Sequence, residues 1–68
     1  MTINRNRKFK GNDGKSYFVQ GKKNEYYLTV LENGFYKICY DFCYNVMYFK
    51  TIKDAQREIL YSGLYYTM

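Results

Sequence analysis

The stretch Glu25–Phe42, EYYLTVLENGFYKICYDF, decides the fold. Aromatic and β-branched residues run up to Asn33-Gly34 and resume after it, and Asn-Gly is the preferred pair for a two-residue type I′ hairpin turn. Strands are therefore expected over Glu25–Leu31 and Phe35–Phe42, returning antiparallel. The turn also sets the register, pairing Glu32 with Phe35, Leu31 with Tyr36, Thr29 with Ile38 and Tyr27 with Tyr40. Side chains alternate across a strand, so one face carries Tyr27, Thr29, Leu31, Tyr36, Ile38, Tyr40 and Phe42. The other carries Tyr26, Leu28, Val30, Glu32, Phe35, Lys37, Cys39 and Asp41. The second set holds all the charges of the hairpin, which assigns it to the outside.

Working outward, Ser16–Gln20 reads as a short preceding strand, closed by the loop Gly21-Lys22-Lys23-Asn24. Asp41 to Asn45 turns the chain into a last strand, Val46–Phe49. Thr51 then caps a helix, with Asp54 completing a weak capping box. Ile52, Ala55, Ile59 and Leu60 share one helical face, and Gly63 supplies the stop. The expected fold is α+β: a three- to four-stranded antiparallel meander with one C-terminal helix packed on one face. Residues 1–15 show no periodicity and read as a flexible basic arm, leaving 16–68 as one small domain.

Charge is unevenly placed. Before Asn24 the basic residues Arg5, Arg7, Lys8, Lys10, Lys15, Lys22 and Lys23 face a single acid, Asp13. After it, Lys37, Lys50, Lys53 and Arg57 are balanced by Glu25, Glu32, Asp41, Asp54 and Glu58. Clustered Lys and Arg attract phosphates over about a Debye length. The expected partner is nucleic acid, DNA ahead of RNA, held by Arg5, Arg7, Lys8, Lys10, Lys15, Lys22, Lys23 and Lys37. Lys15, Lys22 and Lys23 are expected at one sheet end.

With no His in the chain, general acid–base and nucleophilic catalysis lose their usual carrier, and no Gly-rich phosphate loop stands between a strand and a helix. An enzyme is not expected, nor any cofactor. Cys39 and Cys43 without His cannot complete a structural zinc site. On one strand they lie roughly 13 Å apart, too far for a disulfide, so they read as small buried hydrophobes. Lack of an apolar stretch after the basic start, or of any run near ~20 apolar residues, points to a cytoplasmic chain and no membrane.

Tyr48-Phe49-Lys50-Thr51-Ile52-Lys53-Asp54-Ala55 resembles the strand-to-helix junction of two kinds of DNA-binding domain. These are the plant ethylene-response type and the N-terminal arm-binding domains of phage and transposon integrases. The likeness spans about eight residues by sequence and roughly 16–62 by architecture, without those families' strand Trp and Arg. It implies a sheet face entering the major groove, with Tyr26, Leu28, Phe35 and Lys37 in the reading positions.

A competing class is an accessory protein of a phage or mobile element, in keeping with small size and an A/T-rich codon signature, that inhibits a host protein. Its interface would be Tyr26, Leu28, Val30, Phe35 and the tail residues Tyr65 and Tyr66. A homodimer through the same outer face is the third expectation.

Overall fold

The computed structural model describes residues 3–61. Four strands form one antiparallel sheet in sequence order: β1 (Lys8–Lys10), β2 (Ser16–Gln20), β3 (Tyr27–Glu32) and β4 (Phe35–Ile38). The helix α1 (Ile52–Tyr61) follows. The α+β class, the meander and the C-terminal helix are as the sequence predicts.

The central hairpin takes its expected form. Asn33 and Gly34 both have positive φ, 52° and 83°, as a type I′ turn requires. Glu32 pairs with Phe35, Leu31 with Tyr36 and Thr29 with Ile38. The ladder ends sooner than expected: Tyr40 leaves Tyr27 and instead bridges Val46.

Two expectations about strands are corrected. Val46–Phe49 is no strand, since Val46 and Phe49 make only single bridges, to Tyr40 and Tyr26. The fourth strand comes from the supposed arm. Lys8, Phe9 and Lys10 pair with Phe18, Tyr17 and Ser16, and the Val19 amide donates to the Arg7 carbonyl. An open edge on β2 leaves backbone groups to be satisfied, and the N-terminal segment supplies them. The turn Gly11–Gly14 makes this possible: Gly11 and Lys15 bond through their backbones at 2.9 Å, and Asp13 Oδ1 accepts from the Lys15 amide at 2.9 Å.

The face assignment is also corrected. Tyr17, Val19, Leu28, Val30 and Cys39 form one core with Ala55 and Ile59 of α1. Leu28 and Val30, expected outside, are 1% and 2% exposed. The reason is lateral position. The helix lies over β1 and β2, while Phe9, Tyr26, Met47, Phe49 and Ile52 close the rest of the core. Glu32, Phe35 and Lys37 share that face but sit at the turn end or on the far strand, so their polarity says nothing about its centre. Leu60, expected on the buried stripe, is exposed.

The helix start is as expected. Asp54 N–H donates to Thr51 Oγ1 at 3.1 Å, satisfying one orphan donor of the first turn. The stop at Gly63 and the tail with Tyr65 and Tyr66 lie outside the described residues.

The inverted faces give a direct test. Leu28→Ala should destabilise the fold by about 2–5 kcal/mol, as burial and a residual cavity dictate. Phe35→Ala, at a side chain 69% exposed, should stay within about 0.5 kcal/mol. Urea titrations of both variants decide the matter, and a larger loss at Phe35 would restore the opposite face assignment.

Candidate nucleic-acid interface

The face away from the helix is neither bare nor flat. Phe18, Gln20 and Thr29 belong to it by alternation, yet all three are buried. Part of their cover is the segment before β1. Asn4 N–H donates to Gln20 Oε1 at 2.8 Å, and Gln20 Nε2 donates to the Asn4 carbonyl at 2.7 Å. Arg5 follows, its Nε donating to the Tyr36 hydroxyl at 3.1 Å and its guanidinium lying 5.5 Å from the Tyr36 ring centre. Tyr36 in turn meets Phe18 edge-on at 5.3 Å. The Thr29 hydroxyl has an acceptor in the Phe18 carbonyl at 3.4 Å.

This packing fixes the cations of the second face. Lys8 and Lys10 point to the same side as Phe18 and Ser16, their partners across the ladder, and both are exposed. Arg5 lies on the same face but across the sheet, over Tyr36 of β4. Arg7 goes the other way. Its guanidinium lies 5.4 Å from the Tyr26 ring on the helix side, and its Nη1 is buried without a hydrogen-bond partner among the described residues.

The remaining predicted cations disperse. Lys15 and Lys22 flank opposite ends of β2, so the expectation of one shared end is corrected: a five-residue strand separates them by roughly 17 Å. Lys15 Nζ meets Glu32 Oε2 at 2.6 Å beside the hairpin turn. That hydrogen bond holds the Lys15 ammonium above its ordinary pKa. Lys22 pairs loosely with Glu25 at 3.6 Å, Lys23 is exposed in the same loop, and Lys37 is half-buried on the helix face. Of the expected partner residues, Leu28 and Val30 are core, Tyr26 is half-buried, and Phe35 is exposed.

The sequence reading missed a second feature of this face. Tyr27 and Tyr48 meet edge-on at 6.5 Å and bound an open cleft of about 680 Å³ with Gly21, Lys22, Asn24 and Glu25. Its walls are pinned. Asn24 N–H donates to the Lys50 carbonyl at 3.1 Å, and Glu25 N–H to the Lys22 carbonyl at 2.8 Å. Tyr26 and Phe49 exchange backbone hydrogen bonds at 3.1 and 2.8 Å. Gly21 has φ +90°, and a Cβ there would lie 2.4 Å from the Glu25 carbonyl oxygen. Tyr27 could have been placed on this face from register alone. The arrival of Tyr48 depends on the Tyr26–Phe49 bridge, which no local pattern announces.

Other chemistry is sparse. No cluster of three or more His, Cys, Asp or Glu that could hold a metal occurs among the described residues. Nor is any described helix long and apolar enough to cross a membrane. Partial burial pulls Asp13 upward, but a hydrogen bond from the Tyr17 hydroxyl at 2.5 Å, the Lys15 amide and the Lys15 charge outweigh it, leaving the carboxyl below its ordinary value. Cys39 is buried as expected, and that burial pushes its thiol up to about 12. Cys43 is exposed, against expectation. Compared with known protein families, curated proteins and solved structures, the chain matches none of them.

The two thiols should separate cleanly. A disulfide reagent at pH 8 should modify Cys43 at once and Cys39 only after denaturation, because only thiolate reacts and Cys39 is both neutral and covered. The sign of the linkage follows. An unfolded thiol releases its proton near 9.0 and folded Cys39 near 12, so its contribution is complete below pH 9 and lost as pH rises toward 12. Two thiols reacting at one rate in the native protein would contradict this placement.

Proposed function

We propose that this chain is a small non-enzymatic nucleic-acid-binding module. Its contact surface is the sheet face opposite the helix. The observation that carries the reading is the register of β1, which sets Lys8 and Lys10 on that face at one sheet edge, while Arg5 lies over Tyr36 at the other. Two ion pairs occur among the described residues, Lys15–Glu32 and Lys22–Glu25, and Arg5, Lys8 and Lys10 stand outside both. Their charge is available to phosphates. The resemblance of the Tyr48–Ala55 junction to sheet-plus-helix DNA-binding domains points the same way, but the reading positions move. Leu28 is buried on the helix side, so the role passes to the exposed cations of the opposite face.

Three phosphate contacts, from Arg5, Lys8 and Lys10, give a salt slope of roughly −2.7 on duplex DNA and roughly −2.1 on a single strand. Affinity should therefore fall on the order of 20- to 40-fold between 50 and 200 mM salt. The double variant Lys8→Glu/Lys10→Glu should bind at least about ten-fold more weakly at 50 mM salt, with a shallower slope and an unchanged melting temperature. Fluorescence anisotropy of a labelled oligonucleotide measures both. Absence of binding at 50 mM salt, or a double variant that binds as the parent does, would end this reading.

One observation favours a second reading, contact with a host protein. Phe35 on β4 and Phe42 and Tyr44 in the loop after it are all exposed, Phe42 at 80%. Tyr44 is held at φ 61°, a left-handed conformation unfavourable for a bulky residue. Asp41 Oδ1 braces that loop by accepting from the amides of Cys43 and Asn45 at 2.9 and 3.0 Å. A strained, braced loop presenting aromatic anchors suits a protein interface. A nuclease-treated pull-down from bacterial lysate with the parent chain and Phe42→Ser tests it. A partner kept by the first and lost by the second supports the contact, and a partner that vanishes with nuclease removes it.

A further inference from the structure

Resting on the nucleic-acid reading, we propose that the cleft between Tyr27 and Tyr48 receives an unstacked nucleobase, which makes the ligand single-stranded nucleic acid rather than duplex. The cleft has the walls such a guest needs. Its tyrosines stand at 73° to one another, so a planar base stacked on one ring meets the edge of the other. Tyr48 is 65% exposed and offers its surface to solvent. Every base has a π-face, so an aromatic platform captures bases without reading their identity. A base inside a duplex keeps both faces stacked on its neighbours and has none to offer.

Charge surrounds the rings as a strand would require. Lys22 lines the cleft with Glu25, its loose exposed partner at 3.6 Å, Lys23 is next in the loop outside both ion pairs, and the Lys50 carbonyl holds Asn24. All three lysines are exposed. On the other side, Lys8 lies opposite Phe18, and Phe18 opposite Thr29, two residues from Tyr27 on the same face. Two inter-strand spacings and two residues of rise place Lys8 roughly 12 Å from Tyr27. A single strand crossing from β1 to the cleft spans that distance within a few nucleotides, with cations at both ends and rings between. Gly21 forms part of the cleft wall. A Cβ at this position would strike the Glu25 backbone and lie 3.4 Å from the Tyr27 ring.

The experiment compares three labelled probes at 50 mM salt: a deoxythymidine dodecamer, a twelve-base-pair duplex, and a twelve-residue abasic deoxyribose-phosphate strand. Anisotropy is read for the parent chain, Tyr48→Ala and Tyr48→Phe. The parent should prefer the dodecamer over both other probes. Tyr48→Ala should lose about ten-fold for the dodecamer, the scale of one stacking contact. Its salt slope should be unchanged, since no phosphate contact is removed. Tyr48→Phe keeps the ring and should bind as the parent does. Tyr48 is largely exposed, and an unchanged melting temperature for Tyr48→Ala confirms that the fold is intact. Equal binding of duplex or abasic strand, or no loss in Tyr48→Ala, overturns the base-stacking proposal while leaving phosphate binding in place. No binding of any probe overturns both.

Discussion

Burial of Val19, Leu28 and Val30 beneath Ala55 and Ile59 is the contact on which everything else in this fold depends. A chain of 68 residues has little apolar surface to hide, and a core this small leaves a narrow margin over conformational entropy. The aliphatic side of the sheet goes to the helix because methyl groups pack without polar obligations. The other side bears the hydroxyls of Thr29, Tyr27 and Tyr36 and the amide of Gln20, each of which needs a partner or water when covered.

That second side explains the N-terminus. One helix covers one face, so Phe18 and Thr29 would stand wet on a bare sheet. Asn4 and Arg5 are drawn across them through the Gln20 amide and the Tyr36 ring, and β1 is the continuation of that crossing. The same contacts that complete the fold fix where its charge emerges. Tyr17 adds to the anchoring at the opposite end: its ring packs against Gly11, where a Cβ would come within 2.5 Å of it. Asn12 Nδ2 reaches the Leu60 carbonyl and ties the turn before β2 to the end of α1.

Local chemistry made the hairpin and helix legible in the sequence. Asn33-Gly34 admits few conformations, and Thr51 ahead of the Ile52, Ala55, Ile59 stripe marks a helix start with its buried face. What stayed hidden was set by long-range choices. Alternation divides the hairpin into two sets but does not say which one the helix takes, because that depends on β1 and β2 as well. Charges at Glu32 and Lys37 misled for this reason, lying at margins the helix never reaches. The Lys8–Lys10 strand has only three residues, too few for any period to show. Basic composition did single out the cations now placed on one surface, Arg5, Lys8 and Lys10, whereas Tyr48 depended on a single distant bridge.

A fixed cationic edge binds differently from a free one. Ordering a flexible basic arm on a ligand consumes part of the attraction, on the order of 0.5–1.5 kcal/mol for each long side chain immobilised. Here the backbone of Lys8 and Lys10 is already committed to the ladder with β2, and Arg5 is already held by a hydrogen bond and a ring. Folding has met the backbone share of that entropy, and the side-chain share at Arg5, in advance. The proposed binding would then be coupled to folding in both directions. A polyanion on this face would oppose the mutual repulsion of cations on an overall charge of +5 and stabilise the N-terminal crossing, and loosening the crossing would weaken the proposed contact surface. Tyr36 is where the two meet: its ring supports Phe18 below and Arg5 above, so the residue that completes the second layer of packing also aims one of the charges that layer presents.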